Sequence, residues 1–157
     1  MPDSEAESAG MASFDPATRT LARRIFDSLR EMSFDGVGVS RETYGPGETA
    51  AMDLLAGIAA ENGFAVSWDA ARNLIIRLEG QDPDAPVVAT GSHLDTVPVG
   101  GNFDGAAGVV AGLLALIAAR DTGTPPRAME LIVLRGEESA WFGGPCYFGS
   151  RGIFGQL

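Results

Sequence analysis

The sequence predicts an α/β fold, a mixed, mostly parallel sheet flanked by helices. Three observations carry that expectation. Helical and strand periodicities alternate along the chain in the order α, α, β, β, β, α, β. The stretch Val87–Leu134 reads as strand, helix and strand, the pattern of a parallel crossover unit. Glycine supplies 21 of 157 residues, about twice its usual share of roughly 7%. Many of these glycines gather in Gly91–Gly108 and Gly136–Gly155, after apolar strands, where tight turns often surround a ligand.

Residues 1–14 read as a disordered acidic tail, and residues 15–157 as the folded part. Asp15-Pro16 is an N-cap followed by proline at the first helical position. Leu21, Ile25 and Leu29 then recur at helical spacing, with Ala22 and Phe26 beside them, until Asp35-Gly36. Residues 35–47 form a loop rich in glycine. A second helix is expected over Glu48–Glu61, with Met52, Leu55, Ile58 and Ala59 on one face and Asn62-Gly63 closing it. Phe64, Val66 and Trp68 alternate, a turn follows at Asp69–Arg72, and Leu74–Leu78 returns as the partner strand. Val87–Thr90 is a short strand entering a glycine-rich loop. The third helix, Gly105–Arg120, is apolar nearly all round and therefore buried in a larger body. Met129–Leu134 is a buried strand. Gly136–Leu157 is rich in glycine and aromatic residues, and no element is expected there.

Composition narrows the function. The formal net charge is −10, which disfavours nucleic acid and anionic membrane surfaces as partners. Cys146 is the only cysteine, so neither an internal disulfide nor a cysteine zinc cluster can form. It is expected to be a small core residue. His93 is the only histidine, which excludes a site built from several histidines of these residues. The N-terminus has no basic, apolar leader, and the apolar stretch around Ala106–Ala119 is shorter than a membrane span. A cytoplasmic location is expected.

Three features fall at strand ends, where open α/β sheets place their ligands. His93 and Asp95 are two apart, so both side chains can project the same way. That pair is either an imidazole hydrogen-bonded to a carboxylate or a metal-binding imidazole oriented by one. Asp104 stands at the start of the third helix, as an N-cap or as a metal ligand. Glu137-Glu138 follows Met129–Leu134, as a solvated acidic pair or as a ligand and a general base. Together these residues offer one imidazole and several carboxylates, a donor set suited to zinc, manganese or cobalt.

The string GSHLDTVPVGGNFDGAAGVVAGL at Gly91–Leu113 resembles the metal-binding segment of the N-carbamoyl-L-amino-acid hydrolase, allantoate amidohydrolase and β-ureidopropionase group. EESAWFGGPCYFGSRGIFG at Glu137–Gly155 resembles its second signature. DGVGVSRETYGPGETAAMDLLA and Arg72-Asn73-Leu74-Ile75 match more loosely. The group belongs to the aminoacylase/carboxypeptidase-like dinuclear metallohydrolases. The resemblance implies the N-terminal portion of a metallo-exopeptidase-like catalytic domain, incomplete relative to the family. It implies that His93, Asp104 and Glu138 are metal ligands, Asp104 bridging two divalent ions. Asp95 holds the imidazole, and Glu137 is the general base. The implied reaction is metal-dependent C–N cleavage in a small N-carbamoyl or ureido substrate; no residue is assigned to binding that substrate.

The resemblance also implies two further histidine ligands and a second, smaller domain that closes over substrate and forms a homodimer. A single histidine leaves no room for those ligands within these residues, and the lid and dimerisation domain is not expected here. The short chain is therefore expected to bind metal weakly and to turn over little. Arg135-Gly136 and Ser139 depart from the family's usual Thr-Asn and Gly, and Arg135 would bring positive charge to the site if it pointed inward. The rival readings are a metallo-dipeptidase or deacylase of the same superfamily, and a non-catalytic product that serves as an assembly partner or is a gene remnant.

Overall fold

The computed structural model describes residues 15–157; the acidic tail expected over 1–14 lies outside the described residues. Helix α1 spans Pro16–Ser33, and Asp15 caps it by accepting the Ala17 and Thr18 amides at 2.6 and 2.9 Å. Helix α2 spans Pro46–Glu61, starting two residues before the expected position because Pro46 takes the first turn and brings Glu48 inside it. Strands β1 (Ala65–Trp68) and β2 (Leu74–Leu78) form the expected hairpin. Strand β3 (Val88–His93), helix α3 (Ala106–Asp121) and strand β4 (Met129–Leu134) form the crossover unit, with β3 and β4 parallel. A short helix α4, Phe148–Ile153, was not expected.

The sheet order is β1-β2-β4-β3. The sheet is mixed and flanked by helices, but it is not mostly parallel. β1 pairs with β2 and β2 with β4 in antiparallel fashion, and only β3 and β4 run parallel. A parallel pair needs a long crossover, and only α3 supplies one here. The hairpin strand β2 instead joins β4 directly.

One face of the sheet carries the core. Leu74 lies opposite Val133 and Ile76 opposite Leu131, and all four are buried against Ile25 and Leu29 of α1, Met52 and Leu55 of α2, and Leu113 and Leu116 of α3. Each such side chain stabilises the fold by roughly 2 kcal/mol. α3 is buried along one side, while its open side carries Ala107, Gly108, Ala111, Ala115 and Ala118, with Asp121 at its end. No helix of the described residues is long and apolar enough to cross a membrane. This packing brings the C-terminal ends of β3 and β4 side by side, with His93 opposite Leu134.

Candidate metal centre

His93 is the last residue of β3, and its ring is pinned from below. Nδ1 lies 3.0 Å from the Asp95 carbonyl oxygen and 3.2 Å from Asp95 Oδ1. Both contacts are acceptors, so the proton sits on Nδ1, and Nε2 keeps the free lone pair. Burial works against the imidazolium, yet the Asp95 contacts raise the His93 pKa above its ordinary value.

Asp95 is a fully buried hub. Its carboxylate accepts the Thr43 hydroxyl at 2.6 Å, the Glu138 amide at 2.9 Å and the Glu137 amide at 3.1 Å, besides facing His93. Burial would raise its pKa, but the bonds from His93, Thr43 and the two amides outweigh it and hold the carboxyl below its ordinary value. Buried Arg41 fixes the same loop. Its Nε donates to the Leu94 carbonyl at 2.5 Å, its amide donates to Thr96 Oγ1 at 2.9 Å, and its carbonyl accepts the Thr96 amide at 3.0 Å.

Asp104 does not cap α3. The cap position belongs to Gly105, at φ 62°, and no side-chain cap bond is made. Gly105 is required there, since a Cβ would lie 2.5 Å from the His93 carbonyl oxygen and 2.6 Å from the ring. The start of α3 thus passes against His93 and brings Asp104 with it. His93, Asp104 and Glu138 each offer one donor atom, and these atoms lie within 4.8 Å of one another.

The two adjacent glutamates part company. Glu138 joins the group, whereas the Glu137 carboxylate is turned to Ser150, accepting its amide at 2.9 Å and its hydroxyl at 2.5 Å. Arg135 does not point inward to the group. It pairs with buried Glu48, Nε to Oε2 at 2.9 Å. Thr43, Glu48 and Ser150 were not singled out from the sequence. Thr43 and Glu48 lie within the looser match that runs into α2, and Ser150 within the second signature, which was the available signal.

The donor set suits a divalent ion. One imidazole nitrogen and two carboxylates are borderline-to-hard donors. The crowding also favours a cation. Burial and the nearby Asp104 charge together raise the Glu138 pKa, and a bound cation would remove that repulsion.

An α/β sheet that gathers an imidazole and two carboxylates from a strand end, a helix start and the loop after the next strand is a scaffold that can hold a divalent cation. The family comparison agrees, and the chain belongs to peptidase family M28, whose model matches residues 73–155. Among curated proteins it is similar to the N-carbamoyl-L-amino-acid amidohydrolase of Paenarthrobacter aurescens, 41% identical over 140 residues, covering 87% of this chain and 34% of that one. It is also similar to the allantoate amidohydrolase of Bacillus subtilis (strain 168), 39% identical over 94 residues, covering 59% and 23%. Among solved structures, a hydantoinase/carbamoylase family amidase from Burkholderia ambifaria superposes with a TM-score of 0.75 at 37% identity, covering 87% of this chain and 35% of that one. The chain spans about a third of the length of the N-carbamoyl-L-amino-acid amidohydrolases of Paenarthrobacter aurescens and Geobacillus stearothermophilus.

Proposed function

We propose that this chain carries the metal-binding part of an amidohydrolase that cleaves the C–N bond of N-carbamoyl amino acids or related ureido compounds. The observation that carries the reading is the convergence of His93, Asp104 and Glu138 within 4.8 Å, with His93 oriented by a buried carboxylate. The ions proposed are zinc, manganese or cobalt, two in the complete site, and His93, Asp104 and Glu138 would hold metal here. A bound divalent ion supplies a Lewis acid and lowers the pKa of water.

The chain's own groups do the rest. Asp95 holds the Nδ1 proton of His93, so Nε2 is the nitrogen left free to bind a cation. Glu137 is the proton carrier. Ser150 fixes its carboxylate plane with two hydrogen bonds, and each oxygen keeps a second lone pair. Glu137 takes a proton from water as the oxygen adds to the carbamoyl carbon, and returns it to the leaving amino nitrogen. The C–N bond breaks, giving the amino acid and carbamate, and carbamate then falls apart to ammonia and carbon dioxide.

His93 is the only histidine, so further histidine ligands of the kind the resemblance implies would come from outside these residues. The isolated chain should therefore bind metal weakly and turn over slowly. The test is a substrate panel of N-carbamoyl amino acids, N-acyl amino acids and dipeptides in the presence of Co²⁺. The reading expects preference for the carbamoyl compounds, lost in Glu137→Gln. Preference for dipeptides would contradict it and favour peptide hydrolysis, the second reading, which the family's description as a peptidase supports.

A further inference from the structure

Behind Glu137 and Glu138 lies a buried ion pair that the hydrolytic reading does not use. Glu48, in the first turn of α2, has no solvent exposure. Its carboxylate accepts the Gly136 amide at 2.7 Å, the Tyr44 amide at 2.6 Å and Arg135 Nε at 2.9 Å. The Arg135 guanidinium also donates to Thr49 Oγ1 and lies over the Tyr44 ring, 4.8 Å from its centroid. The Arg135 amide donates to Asn73 Oδ1 at 2.8 Å. Gly136 sits at φ 70°, and a Cβ there would meet the Tyr44 ring at 2.7 Å. The next two amides, of Glu137 and Glu138, donate to Asp95. Within three residues the chain is handed from one buried carboxylate to another.

We propose that Glu48 is a positioning residue of the metal centre: with Arg135 it fixes Gly136, and so aims the Glu137–Glu138 backbone at Asp95. The inference rests on the metal-centre reading above. Stability alone does not call for this pair, because a buried ion pair is often replaced by apolar groups without loss. An apolar group could not, however, offer two oriented acceptors to the Gly136 and Tyr44 amides. Replacing one Glu48 oxygen by an amide nitrogen leaves at least one of those donors facing another donor. Glu48 touches no ligand itself, so its effect travels through the backbone of residues 136–138.

The test compares the intact chain with Glu48→Gln and Arg135→Met, using Co²⁺ alone as the probe. Three quantities are read: the Co²⁺ dissociation constant, the visible absorption of bound Co²⁺, and amide hydrogen exchange of Glu137 and Glu138 in the metal-free chain. Glu48→Gln is expected to raise the dissociation constant roughly tenfold or more, the range seen for outer partners of metal ligands. It should also shift the Co²⁺ spectrum and speed exchange at both amides. Arg135→Met keeps both amide bonds to Glu48 and is expected to give a smaller change in the same direction. It carries the test if Glu48→Gln does not fold. Unchanged Co²⁺ affinity, spectrum and exchange with only a lowered melting temperature would make the pair a plain brace and overturn the proposal. The two readings fail differently. A wild-type chain that binds no Co²⁺ overturns the metal centre and this role with it, whereas wild-type binding that survives Glu48→Gln unchanged overturns the role of Glu48 alone.

Discussion

Replacing Asp95 by asparagine tests the hub at the base of the candidate site. The wild-type carboxylate accepts from Thr43, Glu137, Glu138 and His93 through two oxygens. Asparagine keeps one oxygen and presents an amide nitrogen in place of the other. Thr43 can rotate its hydroxyl to accept from that nitrogen, but a backbone amide cannot. If the nitrogen takes the Oδ2 position, the Glu138 amide is orphaned; if it takes Oδ1, the Glu137 amide is, and His93 keeps only the Asp95 carbonyl. An orphaned buried donor and the lost charge-assisted bonds together cost about 3 kcal/mol. For a chain of this length that is roughly 9 °C in melting temperature. The charge adds a pH signature. The Asp95 pKa is lowered in the fold, so its stabilisation is present above the unfolded carboxylate pKa and is lost as pH falls through the folded value. Thermal melts followed by circular dichroism at neutral and acid pH read both effects. Asp95→Asn should melt far earlier at pH 7 and lose less on acidification than wild type. A melting temperature within about 2 °C of wild type at pH 7, with the acid limb unchanged, would refute the hub.

Other consequences follow from the same packing. Gly105→Ala should destabilise the chain and disturb His93, because the position has φ 62° and a Cβ would lie 2.5 Å from the His93 carbonyl oxygen; a chemical-denaturation midpoint equal to wild type would contradict this. Leu131→Ala empties a fully buried core position on β4 and should cost about 3 kcal/mol in urea unfolding, while Ala115→Ser on the open side of α3 should cost little. Burial raises the Glu48 pKa from 4.5 to about 7 despite the Gly136, Tyr44 and Arg135 bonds. The stability it contributes is present below pH 4.5 and is lost as pH rises through about 7. Wild type minus Glu48→Gln should therefore show a stability difference that declines over that window, and a flat difference would contradict it.

The sequence made the local elements legible and the long-range pairings less so. Asp15-Pro16 is a cap in the structure as its residue types require, and the β3-α3-β4 unit follows from apolar runs separated by a helix-length segment. The direction of β2 against β4 is not encoded in either strand's periodicity, which is why the sheet proved less parallel than expected. α4 escaped because Gly149 and Gly152 are poor helix formers and Tyr147 precedes it at φ 60°. At the candidate site, residue types pointed to His93, Asp104 and Glu138, but their convergence depends on β3 and β4 ending together. Asp104 could equally have been a cap until Gly105 took that position. The partner of Arg135 was hidden for a related reason, because Glu48 lies far away in sequence and meets it only when the start of α2 folds against the segment after β4.

The most direct measurement of the central claim is Co²⁺ binding to the purified chain, followed by visible absorption and calorimetry, for wild type and for His93→Ala, Asp104→Asn and Glu138→Gln. The account predicts one saturable site in wild type, with an absorption band typical of mixed nitrogen and oxygen donors, weakened at least tenfold by each substitution. Binding of equal strength in all four proteins, or none in wild type, would contradict a metal centre at the ends of β3 and β4.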